Sequence, residues 1–285
     1  MDEERLGGMG WERDRPDFRD FAADEPEIKA IMDKSRPLKS AVKAAPKSVD
    51  LRQWCPPIED QGALGSCTAN AGVALVEYFE RRAFGRHLDG SRLFLYKATR
   101  NLLGWTGDQG AYLRDTMKAM VLFGVPPEAY WPYDPKRYDE EPSAFCYAFA
   151  ASYKAIKYFR LDPIGTAPDQ VLSVAKQYLA AGLPAMFGFT VYNSIPPIGE
   201  GTGNIPFPGK GDRVAGGHAV AAVGYDDAKR IGAERGALLI RNSWGRNWGE
   251  KGYGWLPYAY VTRGLAVDFW TLVEASFVDT ALFKG

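Results

Sequence analysis

Gln61-Gly62-Ala63-Leu64-Gly65-Ser66-Cys67 runs directly into Thr68-Ala69-Asn70-Ala71-Gly72-Val73-Ala74-Leu75. Ala71, Ala74, Leu75, Tyr78 and Phe79 recur at i, i+3, i+4, i+7 and i+8, which predicts an amphipathic helix over 67–84 closed by Gly85. Cys67 then stands at the helix N-terminus, where unpaired N–H groups and the positive dipole end favour a thiolate. A free cysteine is more often a small buried hydrophobe. The Gly65-Ser66 turn leading into a helix start is what marks Cys67 as a candidate nucleophile. Two segments downstream supply a base and a group to orient it: Gly216-Gly217-His218-Ala219-Val220 and Arg241-Asn242-Ser243-Trp244-Gly245. The chain has two histidines, and His87 lies in a polar turn after the helix, so a cysteine–histidine mechanism points to His218.

The three segments, in the order Cys, His, Asn, together resemble the papain-like cysteine peptidases, in a bacterial-type subgroup. The resemblance implies Cys67 as nucleophile and His218 as general base, the two forming an imidazolium–thiolate couple. It implies Asn242 as the residue that orients the His218 ring, and Gln61 with the Cys67 N–H as the oxyanion hole. By the same resemblance Trp244 covers the Asn242–His218 hydrogen bond, and Trp248 is the second tryptophan of that segment. Gly107-Asp108-Gln109-Gly110-Ala111-Tyr112 is similar to the family's substrate-pairing strand. That implies a substrate site of Gly110, Tyr112, Gly217 and Trp244, although Tyr112 reads equally well as a core aromatic. Leu64 replaces the half-cystine that secreted members carry three residues before the nucleophile. Thr68 replaces their tryptophan, and Gly217 stands where an aspartate is often found. The fold implied is α+β: a two-lobed papain-like fold, a helical lobe facing an antiparallel β-barrel-like lobe with the cleft between.

Composition bounds the alternatives. The 285 residues are 46% hydrophobic and 25% charged, an ordinary globular balance with material for one large domain or two small ones. A formal net charge of zero gives no footprint for nucleic acid or an anionic membrane. No apolar run approaches the roughly 18 residues of a membrane span. The acidic start, Met1-Asp2-Glu3-Glu4-Arg5, lacks a secretory h-region. The expected location is the cytoplasm, or export by a route without a standard signal peptide. Three cysteines make no disulfide framework, and a Cys55–Cys146 bridge stays open.

Residues 1–48 are densely charged and interrupted by Pro16, Pro26, Pro37 and Pro46, yet carry Trp11, Phe18, Phe21, Ile28 and Ile31. They read as a solvated tail or as a short, extended, prosegment-like arm lying over the active site. A peptidase domain follows over 49–285, with its helical lobe near 60–150 and its β lobe near 151–275. Further helices are expected at 111–123, stopped by Gly124, and at 167–181, opened by a Thr166–Asp169 capping box. Strands are expected at Ala185–Tyr192, His218–Tyr225, Ala237–Arg241, Gly252–Leu256 and Asp268–Val273. The glycine-rich loop 193–214 fits no nucleotide-binding pattern and reads as a cleft edge.

Neither Cys-x-x-Cys nor paired histidines occur, so no metal is expected, and no cofactor. No Gly-x-Ser-x-Gly elbow supports a serine hydrolase. The activity expected is peptide-bond hydrolysis through a Cys67 thioester, on a peptide or protein substrate, with the arm contacting the cleft. Two readings stay beside it. One is an acyl transferase or amide ligase using the same triad, and the other is a catalytically silent peptide-binding homologue.

Overall fold

The computed structural model describes residues 6–273, except residues 35, 86 and 154–156. Residues 274–285, part of the expected second lobe and domain, lie outside the described residues. The arm contains β1 (Trp11–Glu12), α1 (Pro26–Met32) and α2 (Arg36–Lys43), and β2 (Ser48–Asp50) follows it. The helical region has α3 (Cys67–Phe84), α4 (Arg92–Leu103), β3 (Ala111–Tyr112), α5 (Leu113–Leu122) and α6 (Ala144–Ala150). The remainder runs β4 (Lys157–Arg160), α7 (Pro168–Ala180), β5 (Ala185–Tyr192), β6 (Val214–Ile231) and β7 (Glu234–Arg241). It ends with β8 (Tyr253–Pro257), α8 (Tyr258–Thr262) and β9 (Ala266–Val273).

The α3 helix is buried without a break from Cys67 to Leu75, so it is a core helix rather than one half wetted by solvent. Its small residues make this possible. A side chain at Gly72 would press on Met120 and Thr116 of α5 at 3.2 Å. Gly85 closes α3 in the left-handed conformation at φ 64°, donating its N–H to Arg81 O, as a C-terminal glycine does. The sequence did not reveal α4, because its buried face includes Arg92, Lys97 and Arg100 and so breaks the apolar period. Arg92 reaches Glu59 and Glu128, each at 3.0 Å, and Arg100 reaches Asp139 at 2.6 Å, so these charges are buried paired.

The seven-stranded sheet is antiparallel throughout, in the order β4-β9-β5-β6-β7-β8, with β2 also joined to β6. The long strand β6 lies beneath α3 and pairs with β5, β7 and β2. The described elements thus have the expected α+β arrangement of helices set against an antiparallel sheet. In β9 the register against β5 slips between Met186 and Gly188, and Asp268 takes φ 60° there. This is a bulge that re-aims one side chain.

Three expectations are corrected, and the open question of a Cys55–Cys146 bridge is answered. The capping box at Thr166 does not form: Ala167 is the N-cap without a side-chain bond, and Thr166 N–H instead donates to Pro163 O. The helix expected at 111 begins at Leu113, because Ala111 and Tyr112 are drawn into pairing with β1. Cys55 and Cys146 are free and buried, so no bridge joins them. The arm is extended only up to α1. Of its apolar side chains, Trp11 and Ile28 are buried and Ile31 is half-buried, while Phe18 and Phe21 are exposed.

Candidate active site

The loop that carries Gln61 is stitched to the segment that carries Asn242. Asp60 bridges to Trp244, Gln61 N–H donates to Ser243 O at 2.9 Å, and Gly245 N–H donates to Glu59 O at 3.0 Å. Ser243 Oγ donates to Gln61 Oε1 at 2.5 Å, which fixes the amide so that Nε2 faces the cleft. Nε2 donates to Leu64 O at 2.8 Å and to Gly8 O at 3.0 Å. The turn before Cys67 is held from the other side. The Asp108 carboxylate accepts Gly65 N–H at 3.0 and 3.1 Å and the Tyr96 hydroxyl at 2.5 Å, and that hydroxyl accepts Gly110 N–H at 3.1 Å. Tyr133 Oη donates to Gln61 O at 3.0 Å and bonds Ser66 Oγ at 2.7 Å.

His218 lies in β6 opposite Phe189 of β5 and is fully buried. Its Nε2 sits 2.7 Å from Asn242 Oδ1, which also accepts Ser243 N–H at 2.8 Å. An amide oxygen only accepts, so Nε2 carries the proton and Nδ1 holds the free lone pair. Nδ1 is buried without a hydrogen-bond partner among the described residues. Trp244 stacks on the imidazole at 4.4 Å and 27°, and Trp248 meets Trp244 edge-on at 5.7 Å, so the Asn242–His218 bond is kept dry. The Cys67 thiol is faced by the backbone N–H groups of Ala219, Gly10 and Thr68.

Burial decides the charge state of this closed site. It pushes the Cys67 thiol up to about 11, against the partial relief those N–H groups give. It pushes His218 down to about 4, against the opposing effect of the hydrogen bond it donates to Asn242. Both directions work against the expected imidazolium–thiolate couple while the cleft is covered. The reason is the chain segment that dries the cleft.

That segment is the arm itself. Gly8 N–H donates to Gly62 O at 2.7 Å, and Gly8 O accepts from both Gln61 Nε2 and Trp244 Nε1 at 3.0 Å. Gly10 O accepts Ala111 N–H at 2.8 Å, and β1 pairs parallel with β3, Trp11 opposite Ala111 and Glu12 opposite Tyr112. All four residues expected to bind substrate touch or adjoin this path. Gly110, at φ 75°, lies against the Gly10 carbonyl, where a side chain would collide. A side chain on Gly217 would meet Trp11 O at 2.5 Å. Trp244 is buried beneath His218. Tyr112 is half-buried and packs on Trp105 at 5.3 Å, between the pocket and core readings. His87 is exposed, as expected of a turn residue.

Sequence reasoning missed Asp108, Tyr96, Tyr133 and the Ser243 contact to Gln61. Only Asp108 left a trace, as a lone acid in a glycine-rich turn. It also missed Gly188, whose missing side chain leaves room for the Trp11 indole. Among the described residues no cluster of three or more His, Cys, Asp or Glu is placed to hold a metal, and no helix is long and apolar enough to cross a membrane.

A buried cysteine at a helix N-terminus, backed by an asparagine-held histidine and a glutamine amide, defines a cysteine peptidase. The chain belongs to the papain family of cysteine proteases, whose sequence model matches residues 45–264. It is 36% identical over 222 residues to the uncharacterized peptidase C1-like protein L477 of Acanthamoeba polyphaga mimivirus, covering 76% of this chain and 70% of that protein. It is 31% identical over 221 residues to chymopapain of Carica papaya, covering 73% of this chain and 54% of that protein. Among solved structures, xylellain, a cysteine protease from Xylella fastidiosa, superposes with a TM-score of 0.75 at 38% identity. That match covers 95% of this chain and 98% of that one. The protein is thus a papain-like cysteine peptidase with the two-lobed α+β fold.

Proposed function

We propose that the protein hydrolyses peptide bonds within polypeptides through a Cys67 thioester and that residues 1–48 restrict access to the site. The Cys67 proton passes to His218 Nδ1 and the sulfur attacks the substrate carbonyl carbon. The oxyanion is held by Gln61 Nε2 and the Cys67 N–H. His218 returns the proton to the departing amine, leaving an acyl-thioester. His218 then takes a proton from water, hydroxide adds to the thioester, and the acid departs as Cys67 is regenerated. Asn242 keeps the His218 ring in the tautomer this sequence needs.

One observation carries the inhibitory part. Gln61 Nε2, the donor for the oxyanion, is already occupied by the Gly8 carbonyl. Cys67 meets the Gly10 N–H, which a nucleophile cannot attack. The arm therefore fills the cleft at the oxyanion donor and beside the sulfur. A boundary near residue 48 is supported by β2, which begins at Ser48 and joins the domain sheet.

The test is kcat/KM on a set of peptides for the full chain and for a chain beginning at Ser48, with folding followed by circular dichroism. The trimmed protein is expected to be faster, and Cys67→Ala to abolish turnover in both. A folded trimmed protein no faster than the full chain would reduce the arm to a structural extension. Activity surviving Cys67→Ala would remove the mechanism.

A further inference from the structure

Three residues beyond Trp11 the arm plants Asp14 in a socket on the domain. The socket is built from Arg114 of α5, Arg160 of β4, Asp162 after β4, and Asp268 and Trp270 of β9. Its own charges balance: two arginines face two aspartates, with Arg160 at 2.5 Å from Asp268 and 3.0 Å from Asp162. The arm adds two more carboxylates, and they fare differently. Asp20 grips Arg114 through both oxygens at 2.6 Å and lies 3.2 Å from Arg160. Asp14 reaches a guanidinium only at 3.5 Å, on Arg160. Its remaining donors are Trp270 Nε1 at 2.8 Å and Arg114 N–H at 3.3 Å. Its own N–H donates to Asp268 Oδ2 at 2.8 Å, which sets the two aspartates against one another. The Asp14 side chain is wholly buried.

We propose that Asp14 is a latch that holds the arm in place while it carries a proton and loosens it when that proton is lost, so that rising pH uncovers the cleft. This rests on the reading of the arm as the cover of the active site.

The charge count sets the sign. An ionised Asp14 is a buried carboxylate beside another carboxylate, in a cluster whose guanidiniums are already engaged, and that arrangement is unfavourable. Burial, then the charge of Asp268, push Asp14 up to about 7, against Arg114, the Trp270 hydrogen bond and Arg160. Asp268 is raised by burial as well, opposed by Arg160 and by Arg13 of the arm. Burial brings Asp162 up to about 6 against Arg160. Tyr158 of β4 and Asp115 of α5 stand at the edge of the same cluster, and Arg15 lends its carbonyl to Arg114. A group raised on docking favours the docked state fully below its free value of 3.8, and that contribution is lost as pH rises through about 7. A groove of about 570 Å³, bordered by Arg13, Asp14, Arg15, Arg160, Asp162 and Asp268, runs alongside the latch.

The test is hydrogen exchange on the full chain carrying Cys67→Ala, which prevents self-processing, with rates corrected for intrinsic pH dependence. Ala111 N–H, donated to Gly10 O, and Arg160 N–H, donated to Phe21 O, report arm docking on either side of Asp14. Their protection is expected to fall at least about tenfold from pH 5 to pH 8, while β6–β7 amides stay protected. Asp14→Asn keeps the acceptor for Trp270 without the charge, and should keep pH-5 protection at pH 8. Should that variant fail to fold, Asp268→Asn, which removes the neighbouring carboxylate, should flatten the same curve. Protection in the parent that is flat or rises with pH would overturn the latch, as would an Asp14→Asn curve that falls in step with the parent. The peptidase rate of the Cys67-bearing full chain relative to the chain starting at Ser48, over the same pH range, separates the two claims. Arm amides that open with no gain in relative rate would leave the latch standing and remove the covering role.

Discussion

In the proposed mechanism the Gln61 amide presents its N–H to the oxyanion, and Ser243 Oγ, bonded to its carbonyl oxygen at 2.5 Å, holds it in that orientation. Gln61→Ala is expected to lower kcat by about 10²–10³ with little change in KM, because the donor acts on the transition state. Ser243→Ala should lower kcat by less, since Nε2 stays present but is free to turn. Steady-state kinetics of the two variants check this, and a change confined to KM in either would assign the residue to substrate binding instead. Cys67, Gln61, His218 and Asn242 were legible in the sequence because each belongs to a short motif whose chemistry is local. Asp108 was not, since its meaning depends on Gly65, a turn 43 residues away that only the fold brings within hydrogen-bond reach. Gly188 is similar: a glycine inside a strand looks like a weakness until the Trp11 indole is seen lying on it.

At the scale of elements, the arm docks by backbone pairing, by the Asp14 and Asp20 contacts, and by buried apolar side chains of which Trp11 is the largest. Trp11→Ala removes a buried indole, a change worth about 3–5 kcal/mol in a well-packed site, shared here between docking and folding. Gly188→Val approaches the same contact from the domain side, by filling the space the indole occupies. Both variants should react faster with a small thiol reagent at Cys67 than the parent does. A parent-like rate in both would show that the arm is not anchored through Trp11. The pattern of element recognition follows from burial. β5 was readable to the residue because both its faces are apolar, whereas α4 buries arginines and a lysine behind their partners and shows no stripe. The two short helices of the arm left only a weak signal, because each offers few apolar positions: Ile28, Ile31 and Met32 in α1, and Leu38 and Ala41 in α2.

Over the whole molecule, buried titratable groups give stability opposing pH slopes. His218, lowered to about 4 by burial, contributes stability that is full above its ordinary 6.5 and lost as pH falls through about 4. Glu77, on the inner face of α3, is raised to about 8 by burial while its Oε1 accepts Gly90 N–H at 2.8 Å. Its contribution is full below its ordinary 4.5 and lost as pH climbs through about 8. Glu77→Gln keeps an acceptor for Gly90 without the charge. Its melting temperature should therefore decline less than the parent's between pH 6 and pH 9. Parallel declines would place the alkaline loss elsewhere. The antiparallel sheet and the helices against it were legible as a change from helical to strand-like patterning near residue 183. The path of the arm through the cleft was legible only as a possibility, because it depends on three-dimensional fit among Gly8, Gly10, Gly110 and Gly217.

The central claim is that Cys67 is the reactive thiol of the chain and that the arm stands in front of it. The direct measurement is the rate of covalent labelling by a peptidyl electrophile, mapped by mass spectrometry, in the full chain and in the chain beginning at Ser48. Label is expected on Cys67 alone, with Cys55 and Cys146 untouched and a faster rate in the trimmed chain. Equal rates in two folded proteins, or label spread over the three cysteines, would contradict it.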